Sequence, residues 1–305
     1  MAEQTINQSR PITFTGRDGL RLHAECYEAS GNRRPVLCLA GLTRNGRDFR
    51  KLAQALSSGA DARPVYTLDS RGRGLSEFDR NWKNYSIPVE MQDVVDFTTI
   101  AGLHGATVIG TSRGGLIAMV LAAVQPSILG AVVLNDIGPV IERHGLTRIA
   151  GYVGRTPLPG TWDEAARMVA GMNQRSFPAV PAEVWAEFAR GLFNDKDGRP
   201  APGYDPKLGR ILSVKDGPVP QLWPQFAGLG RLPMLVIRGE NSDILSPETF
   251  AEMQARHPDC AALTVAGEGH APLLMDNRSI GAIRQFLSAV DGGEKVAARD
   301  FAATA

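Results

Sequence analysis

Short apolar runs alternate along the chain with segments in which apolar residues recur every three or four positions. The first pattern is typical of strands buried in a parallel sheet, and the second predicts helices. The apolar runs predict strands at residues 36–40, 65–68, 107–109, 131–134, 234–237 and 262–265. Residues 20–27 instead alternate apolar and polar positions, which predicts an antiparallel strand with one exposed face. The sequence predicts helices at residues 49–56, 89–100, 116–124, 162–171, 182–192 and 279–290, and one that begins at Pro247 after an N-cap Ser246. Strand–helix alternation at this spacing predicts an α/β fold, a mostly parallel sheet with helices on both faces.

Residues 137–223 interrupt this alternation. The segment is rich in proline, shows only short helical patterns, and contains no run typical of a buried strand. We therefore predict a core at residues 12–136 and 224–290, with residues 137–223 forming a mostly helical cap inserted between its two parts. An independent second domain is the alternative interpretation. Residues 291–305 are small, charged and non-periodic, which predicts a flexible tail.

The amino-acid composition argues against some classes of binding partner but says little about the reaction. The 305 residues are 43% hydrophobic, and 33 basic against 32 acidic residues give a net charge of +1. This balance argues against nucleic acid or an anionic membrane as a partner. Three widely spaced cysteines and the lack of a clustered His/Cys motif predict no metal site. No cofactor is expected either, because the serine chemistry described below needs none. The sequence has no long apolar run, so a cytoplasmic location is expected, and a homodimer is compatible with it.

The best candidate nucleophile is Ser112. It stands in Gly110-Thr111-Ser112-Arg113-Gly114, directly between a predicted strand and a predicted helix. A sharp strand-to-helix turn exposes the serine hydroxyl, and glycines on either side permit the turn. The pattern alone is weak, because a glycine-rich turn with an incidental serine has the same letters.

A serine hydroxyl needs a base to become nucleophilic, usually a histidine oriented by a carboxylate. Asp243 and His270 each follow a predicted strand, in Gly239-Glu240-Asn241-Ser242-Asp243 and Gly267-Glu268-Gly269-His270. Loops at the carboxyl edge of a parallel sheet converge on one crevice. We assign Asp243 as the acid because its strand directly precedes the histidine loop. Asp136, which also ends a strand, is the alternative acid.

An acyl-transfer site also needs backbone donors for the oxyanion. The residue after the nucleophile, Arg113, supplies one N–H group. The loop after residues 36–40 reads Gly41-Leu42-Thr43-Arg44, and we assign the second N–H to Leu42. Gly41 permits the turn that points this amide inward.

These motifs together resemble the α/β-hydrolase family, in the capped branch that contains esterases, lactonases and meta-cleavage-product hydrolases. Ala40-Gly41-Leu42 stands where that branch usually has His-Gly-x, and residues 69–76 (DSRGRGLS) match its D-x-R-G-x-G-x-S loop. The order Ser112, Asp243, His270 is the family's order. The resemblance spans about residues 12–290, with the insertion matched only in position. It implies a buried structural pair of Asp69 and Arg71. A serine at the nucleophile position argues against epoxide hydrolases and haloalkane dehalogenases, which carry aspartate there.

The resemblance implies a serine hydrolase acting through an acyl-enzyme on a small carboxylic ester or lactone. A C–C bond hydrolase of a ring-fission dienoate or β-diketone is the alternative, and a non-catalytic ligand receptor on the same fold is a third option. Arg44 and Asn45, with Arg73 and Arg113, are placed near the expected crevice, where they would bind an anionic substrate or instead pair with nearby acids. Trp162 and Trp185 of the insertion would line the pocket or pack inside the cap.

Overall fold

An eight-stranded sheet organises the fold in the computed structural model, which describes residues 9–212, 219–297 and 301. Its strands are β1 Arg10–Thr15, β2 Arg21–Tyr27, β3 Val36–Leu39, β4 Val65–Asp69, β5 Ala106–Thr111, β6 Leu129–Asn135, β9 Met234–Gly239 and β10 Cys260–Val265. A separate hairpin is formed by β7 (Asn194–Lys196) and β8 (Arg199–Ala201). The sheet order is β1-β2-β4-β3-β5-β6-β9-β10. Only β2 runs antiparallel to its neighbours β1 and β4, so the predicted α/β class with a mostly parallel sheet is confirmed.

Helices connect the strands and cover both faces of the sheet. They are α1 Arg50–Leu56, α2 Ile87–Ile100, α3 Arg113–Val124, α4 Arg143–Tyr152, α5 Trp162–Asn173, α6 Ala182–Leu192, α7 Trp223–Ala227, α8 Pro247–Arg256 and α9 Asn277–Asp291. The predicted N-cap of α8 is confirmed, because the Ser246 hydroxyl accepts a hydrogen bond from the Thr249 N–H. At the start of α5, Thr161 and Glu164 form a capping box.

Two apolar layers lie on opposite faces of the sheet, because successive side chains of a strand point to opposite sides. In β3, Leu37 and Leu39 join the layer beneath α2 and α3, whereas Val36 and Cys38 join the layer beneath α1 and α9. All four residues are fully buried, which is the reason that the strand is a continuous apolar run.

The segment between β6 and β9 contains α4 to α7 and the β7–β8 hairpin. Helices α5 and α6 have their own small core, in which Trp185 packs edge-on against Phe177 and Phe188. The sequence pattern missed α4, α7, the hairpin and β1. In α4 only Gly145 and Ile149 are buried, and in β1 only Phe14 is, so neither element carries a full apolar periodicity.

The expectation of a flexible tail at residues 291–305 is wrong for two side chains. Val296 and Phe301 are buried against the α9 side of the sheet, and the Phe301 ring packs edge-on against Phe286. The Asp259 carboxylate also accepts hydrogen bonds from the N–H groups of Val296 and Ala297. Residues 298–300 and 302–305 lie outside the described residues.

Candidate active site

Ser112 stands at the tight turn between β5 and α3. Its backbone has a φ of 51° and a ψ of −112°, a conformation that L residues rarely adopt. Steric space explains the flanking glycines. A Cβ at Gly114 would lie 2.1 Å from the Leu39 carbonyl oxygen, and one at Gly110 would lie 2.5 Å from the Gly115 nitrogen. The turn therefore requires glycine at both positions and presents the serine hydroxyl at the edge of the sheet.

The structure brings Ser112 and His270 into hydrogen-bond contact. His270 lies in the loop between β10 and α9, and its Nε2 is 2.9 Å from Ser112 Oγ. The Nδ1 atom on the other side of the ring is 2.8 Å from Asp136 Oδ2. An Nδ1–H that donates to Asp136 leaves Nε2 free to accept the serine proton.

Asp136 is held rigidly in place as a hydrogen-bond acceptor. It follows β6 directly, is completely buried, and adopts a φ of 56°. Besides His270, its carboxylate accepts a 2.9 Å hydrogen bond from the Gly239 N–H and a 2.6 Å hydrogen bond from the Ser242 hydroxyl. Its own N–H donates to the Ile237 carbonyl at 2.7 Å. The neighbouring strand β9 thus fixes the carboxylate that orients His270.

The assignment of Asp243 as the histidine's partner is wrong, and the alternative, Asp136, occupies that place. Asp243 instead binds Arg148 of α4 through two hydrogen bonds, one of them 2.8 Å between Arg148 Nη2 and Asp243 Oδ1. Partial burial alone would raise the pKa of Asp243, but the Arg148 guanidinium outweighs it and lowers that pKa. Asp243 does not reach His270 because the preceding residue, Ser242, donates its hydroxyl to Asp136, while Asp243 itself binds α4.

The loop after β3 carries Leu42, which lines the same cavity as Ser112. The Gly41 carbonyl accepts a hydrogen bond from the Arg44 N–H at 3.1 Å. Because a trans peptide is planar, the Leu42 N–H of that same peptide points the opposite way. Within the described part of the chain, neither this N–H nor that of Arg113, the first residue of α3, donates a hydrogen bond. Both groups are therefore available to an oxyanion, and this role stays a prediction.

Arg113 and Arg73 do not point their side chains toward a substrate. Arg113 Nε donates to Glu90 Oε2 at 2.6 Å, and Arg73 Nη1 donates to Glu90 Oε1 at 2.7 Å. Burial alone would raise the pKa of Glu90, but these two cations lower it. Arg73 is itself fully buried and also donates to the Leu42 carbonyl. The sequence analysis missed Glu90, which stands on α2 without any motif around it.

A cavity of about 380 Å³ opens above Ser112 and His270, between the sheet and the cap. Its walls are mostly apolar and include Phe49, Ile149, Leu158, Val169, Met172, Phe177, Phe188, Leu192, Phe193, Leu273, Leu274 and Met275. Polar side chains on the wall include Thr43, Tyr152, Thr156, Asn173 and Tyr204. This size and character are typical of a small-molecule site.

Of the four tentative substrate-binding residues, only Arg44 lines this cavity. Its guanidinium is paired with Asp48 and stacks on the Phe188 ring. Asn45 is fully buried and donates to the Gly191 carbonyl at 2.8 Å. Trp185 lies in the cap core, and the Trp162 indole N–H donates to the Gly198 carbonyl. The cap packing therefore uses Asn45, Trp162 and Trp185 for structure.

The buried pair expected between Asp69 and Arg71 does not form, although both residues are structural. Arg71 binds Asp93, Asp79 and Asp18. Asp69 instead contacts His23 and accepts hydrogen bonds from the N–H groups of Gly46 and Leu75. Among the described residues, no group of three metal-ligating side chains occurs and no helix is long and apolar enough to cross a bilayer.

Comparison with known proteins gives one consistent similarity. Residues 36–279 match the model of the "Alpha/beta hydrolase family". A 3-hydroxybutyrate-oligomer hydrolase of Cupriavidus necator is 33% identical over 280 residues, covering 88% of this chain and 94% of that protein. A 2-(acetamidomethylene)succinate hydrolase of Mesorhizobium japonicum is 25% identical over 77% of this chain and 81% of its own.

Among solved structures, an α/β hydrolase from Novosphingobium aromaticivorans superposes with a TM-score of 0.84 at 39% identity. The match covers 94% of this chain and 99% of that one. The similarity extends over almost the whole chain, so it includes the cap as well as the sheet.

Proposed function

Because the chain belongs to the α/β-hydrolase family and is a hydrolase, we propose that it cleaves carboxylic esters with Ser112 as the nucleophile. His270 is the general base and Asp136 the acid that orients it. The observation that carries this proposal is the continuous chain of hydrogen bonds from Ser112 through His270 to Asp136, at 2.9 and 2.8 Å, at the floor of the cavity.

The reaction has two halves. His270 Nε2 takes the Ser112 proton while Oγ attacks the ester carbonyl, and the negative oxygen that forms is bound by the N–H groups of Leu42 and Arg113. His270 then gives the proton to the departing alcohol, which leaves an acyl-serine. In the second half His270 deprotonates a water, the resulting hydroxide attacks the acyl group, and the returning proton restores Ser112. Asp136 stabilises the positive imidazolium in both halves.

For the substrate we propose a short oligoester of a 3-hydroxy acid. The 33% identical relative is a 3-hydroxybutyrate-oligomer hydrolase. The cavity supports this class, because about 380 Å³ of space with predominantly apolar walls suits small alkyl-branched units, while Thr43 and Asn173 offer hydrogen bonds to ester oxygens. A lactone fits the same machinery. The cytoplasmic location and the homodimer stay predictions.

The two other candidate functions have less support. A C–C hydrolase needs a keto–enol proton step, and the polar side chains of Asn45 and Arg113 are the ones near the expected crevice that would assist it. The Asn45 side chain donates to the Gly191 carbonyl and the Arg113 side chain binds Glu90, so neither is free to transfer a proton to a substrate in the cavity. A receptor without catalysis would have no need for a rare backbone conformation at Ser112 or for a histidine between a serine and a buried carboxylate.

Turnover and active-site labelling test the proposal together. Wild-type enzyme is assayed on 3-hydroxybutyrate trimer, p-nitrophenyl butyrate and a ring-fission dienoate, and is labelled with a fluorophosphonate probe. We expect both esters to be cleaved and Ser112→Ala to lose labelling and at least about 10³-fold in kcat/KM. Ser288→Ala, an exposed serine of α9, serves as the matched control and retains both. Cleavage of the dienoate alone, or labelling that persists in Ser112→Ala, would contradict the proposal.

A further inference from the structure

The arginines on the cavity wall outnumber the carboxylates among the described residues. Among the described residues, those that line it are Arg44, Asp48, Arg148 and His270. Arg44 and Asp48 are paired with each other, and both lie on the wall. Arg148 is also paired, but its partner Asp243 is not among the residues that line the cavity. Arg148 is therefore a cation-bearing residue of the wall whose acid partner is not itself a wall residue.

Arg148 has N–H donors that its pair with Asp243 does not use. Its Nε and Nη2 atoms bind Asp243 side-on, and its side chain is 40% exposed. An arginine has five N–H donors, so this grip leaves the Nη1 edge for another acceptor. The same chain contains a working example, because Arg71 grips Asp93 through Nε and Nη2 while its Nη1 donates to Asp18 and Asp79.

Tyr152 completes the surroundings of Arg148. It stands one helical turn further along α4, on the same side of the helix as Arg148, and it also lines the cavity. Burial raises the pKa of Tyr152, so its hydroxyl keeps its proton and can donate a hydrogen bond.

We infer that Arg148 and Tyr152 form a carboxylate subsite that binds the free acid end of the substrate. This inference rests on the proposed function and deepens it, because a linear oligoester of a hydroxy acid ends in one carboxylate. The subsite makes the enzyme selective for acid-terminated oligoesters over their neutral esters. A carboxylate held by the guanidinium and the phenol also fixes where along the oligomer the carbonyl meets Ser112.

Arg148 could instead serve only to tie α4 to the loop after β9, and three variants separate this role from the subsite. Arg148→Met removes both the pair and the subsite cation. Asp243→Asn breaks the same pair but leaves the cation in the cavity. Tyr152→Phe removes only the phenol hydroxyl. Each variant is assayed on 3-hydroxybutyrate trimer and on its methyl ester, and the quantity compared is the ratio of the two kcat/KM values.

We expect wild type to prefer the acid by about 10-fold or more, Arg148→Met to lose that preference, and Tyr152→Phe to lose part of it, while Asp243→Asn keeps or increases it. If Arg148→Met and Asp243→Asn lower the kcat/KM values of both substrates to the same extent, Arg148 only holds α4 against the loop after β9, and the subsite is overturned.

A binding measurement keeps this outcome separate from failure of the proposed function. The trimer and its methyl ester are titrated calorimetrically into Ser112→Ala and into Ser112→Ala/Arg148→Met. An acid preference of about 10-fold in Kd that disappears in the double variant supports the subsite even if wild type turns over neither compound. Equal Kd values in Ser112→Ala, or no binding of the acid, would overturn the subsite, whereas the absence of turnover alone would count against ester hydrolysis.

Discussion

His270 Nδ1 lies 2.8 Å from Asp136 Oδ2, although 134 positions separate the two residues in the chain. Asp243, which is much nearer in sequence, faces Arg148 of the cap instead. Two aspartates thus follow adjacent strands β6 and β9, and only the first contacts the histidine.

This division of roles predicts opposite outcomes for two isosteric variants. Asp136→Asn should lower kcat/KM for p-nitrophenyl butyrate by about 10²- to 10⁴-fold, because an amide cannot stabilise the imidazolium or hold its tautomer. Asp243→Asn should stay within about threefold on this neutral ester. A larger loss in Asp243→Asn than in Asp136→Asn would contradict the geometry of the site. Thermal melting of both variants separates a catalytic loss from unfolding.

A second prediction concerns the turn at the nucleophile. Gly114→Ala should cost about 3 kcal/mol or more in free energy of unfolding, or prevent folding, because its Cβ would lie 2.1 Å from the Leu39 carbonyl oxygen and the obstacle is backbone. Gly281→Ala is the matched control. It lies inside α9 with nothing within 4 Å of its Cβ, so it should stabilise by about 0.4–1 kcal/mol. Urea denaturation measures both, and a Gly114→Ala protein with wild-type stability would refute the steric argument.

Glu268 predicts a pH dependence of stability. Burial, with a smaller contribution from Asp276, raises the pKa of this carboxyl to about 7. The hydrogen bond that the carboxylate accepts from the Leu273 N–H acts in the opposite direction but is outweighed. Because the folded pKa lies above the unfolded one, the stabilisation is complete below about pH 4.3 and is lost as the pH rises through 7.

Glu268→Gln keeps an acceptor for the Leu273 N–H but cannot ionise. The free energy of unfolding of the variant relative to wild type should therefore increase between pH 5 and pH 8, by about 2 kcal/mol. Denaturation at several pH values measures this difference. The other titratable groups are common to both proteins, so their contributions to the free energy of unfolding cancel in it. A constant difference over this range would show that Glu268 titrates normally in the folded protein.

The buried cluster around Arg71 predicts a strong effect on stability. Arg71 is 1% exposed and binds three carboxylates, so Arg71→Met should cost about 3–5 kcal/mol by leaving Asp93 and Asp79 buried without their cation. Arg17→Ala removes an arginine that is 64% exposed from its pair with Asp96, and should change stability by less than about 1 kcal/mol. Equal losses in the two variants, measured by urea denaturation, would contradict this assignment.

The parts of the site that the sequence predicted are those with a local steric or chemical signature. Ser112 is identified by the glycines that its turn requires, and His270 by a glycine-rich loop after a strand. The acid has no such signature, because Asp136 and Asp243 both follow buried strands and differ only in where the backbone turns next. The sequence left open whether Trp162 and Trp185 line the pocket or pack inside the cap, and it placed Asn45 at the crevice, because composition does not reveal which way a side chain points.

By itself, the sequence of this protein determined most of the strands and helices in their order, the α/β class, the tight turn at Ser112 and the loop of His270. Each of these depends on residues that are close together in the chain, through apolar periodicity or the conformational freedom of glycine. Only the tertiary structure decided that Asp136 contacts His270, that Glu90 binds the Arg113 side chain, and that Arg148 lines the cavity and binds Asp243. These contacts join elements far apart in sequence, and their partners are selected by strand order and by burial, which forces each charged side chain to find an opposite charge.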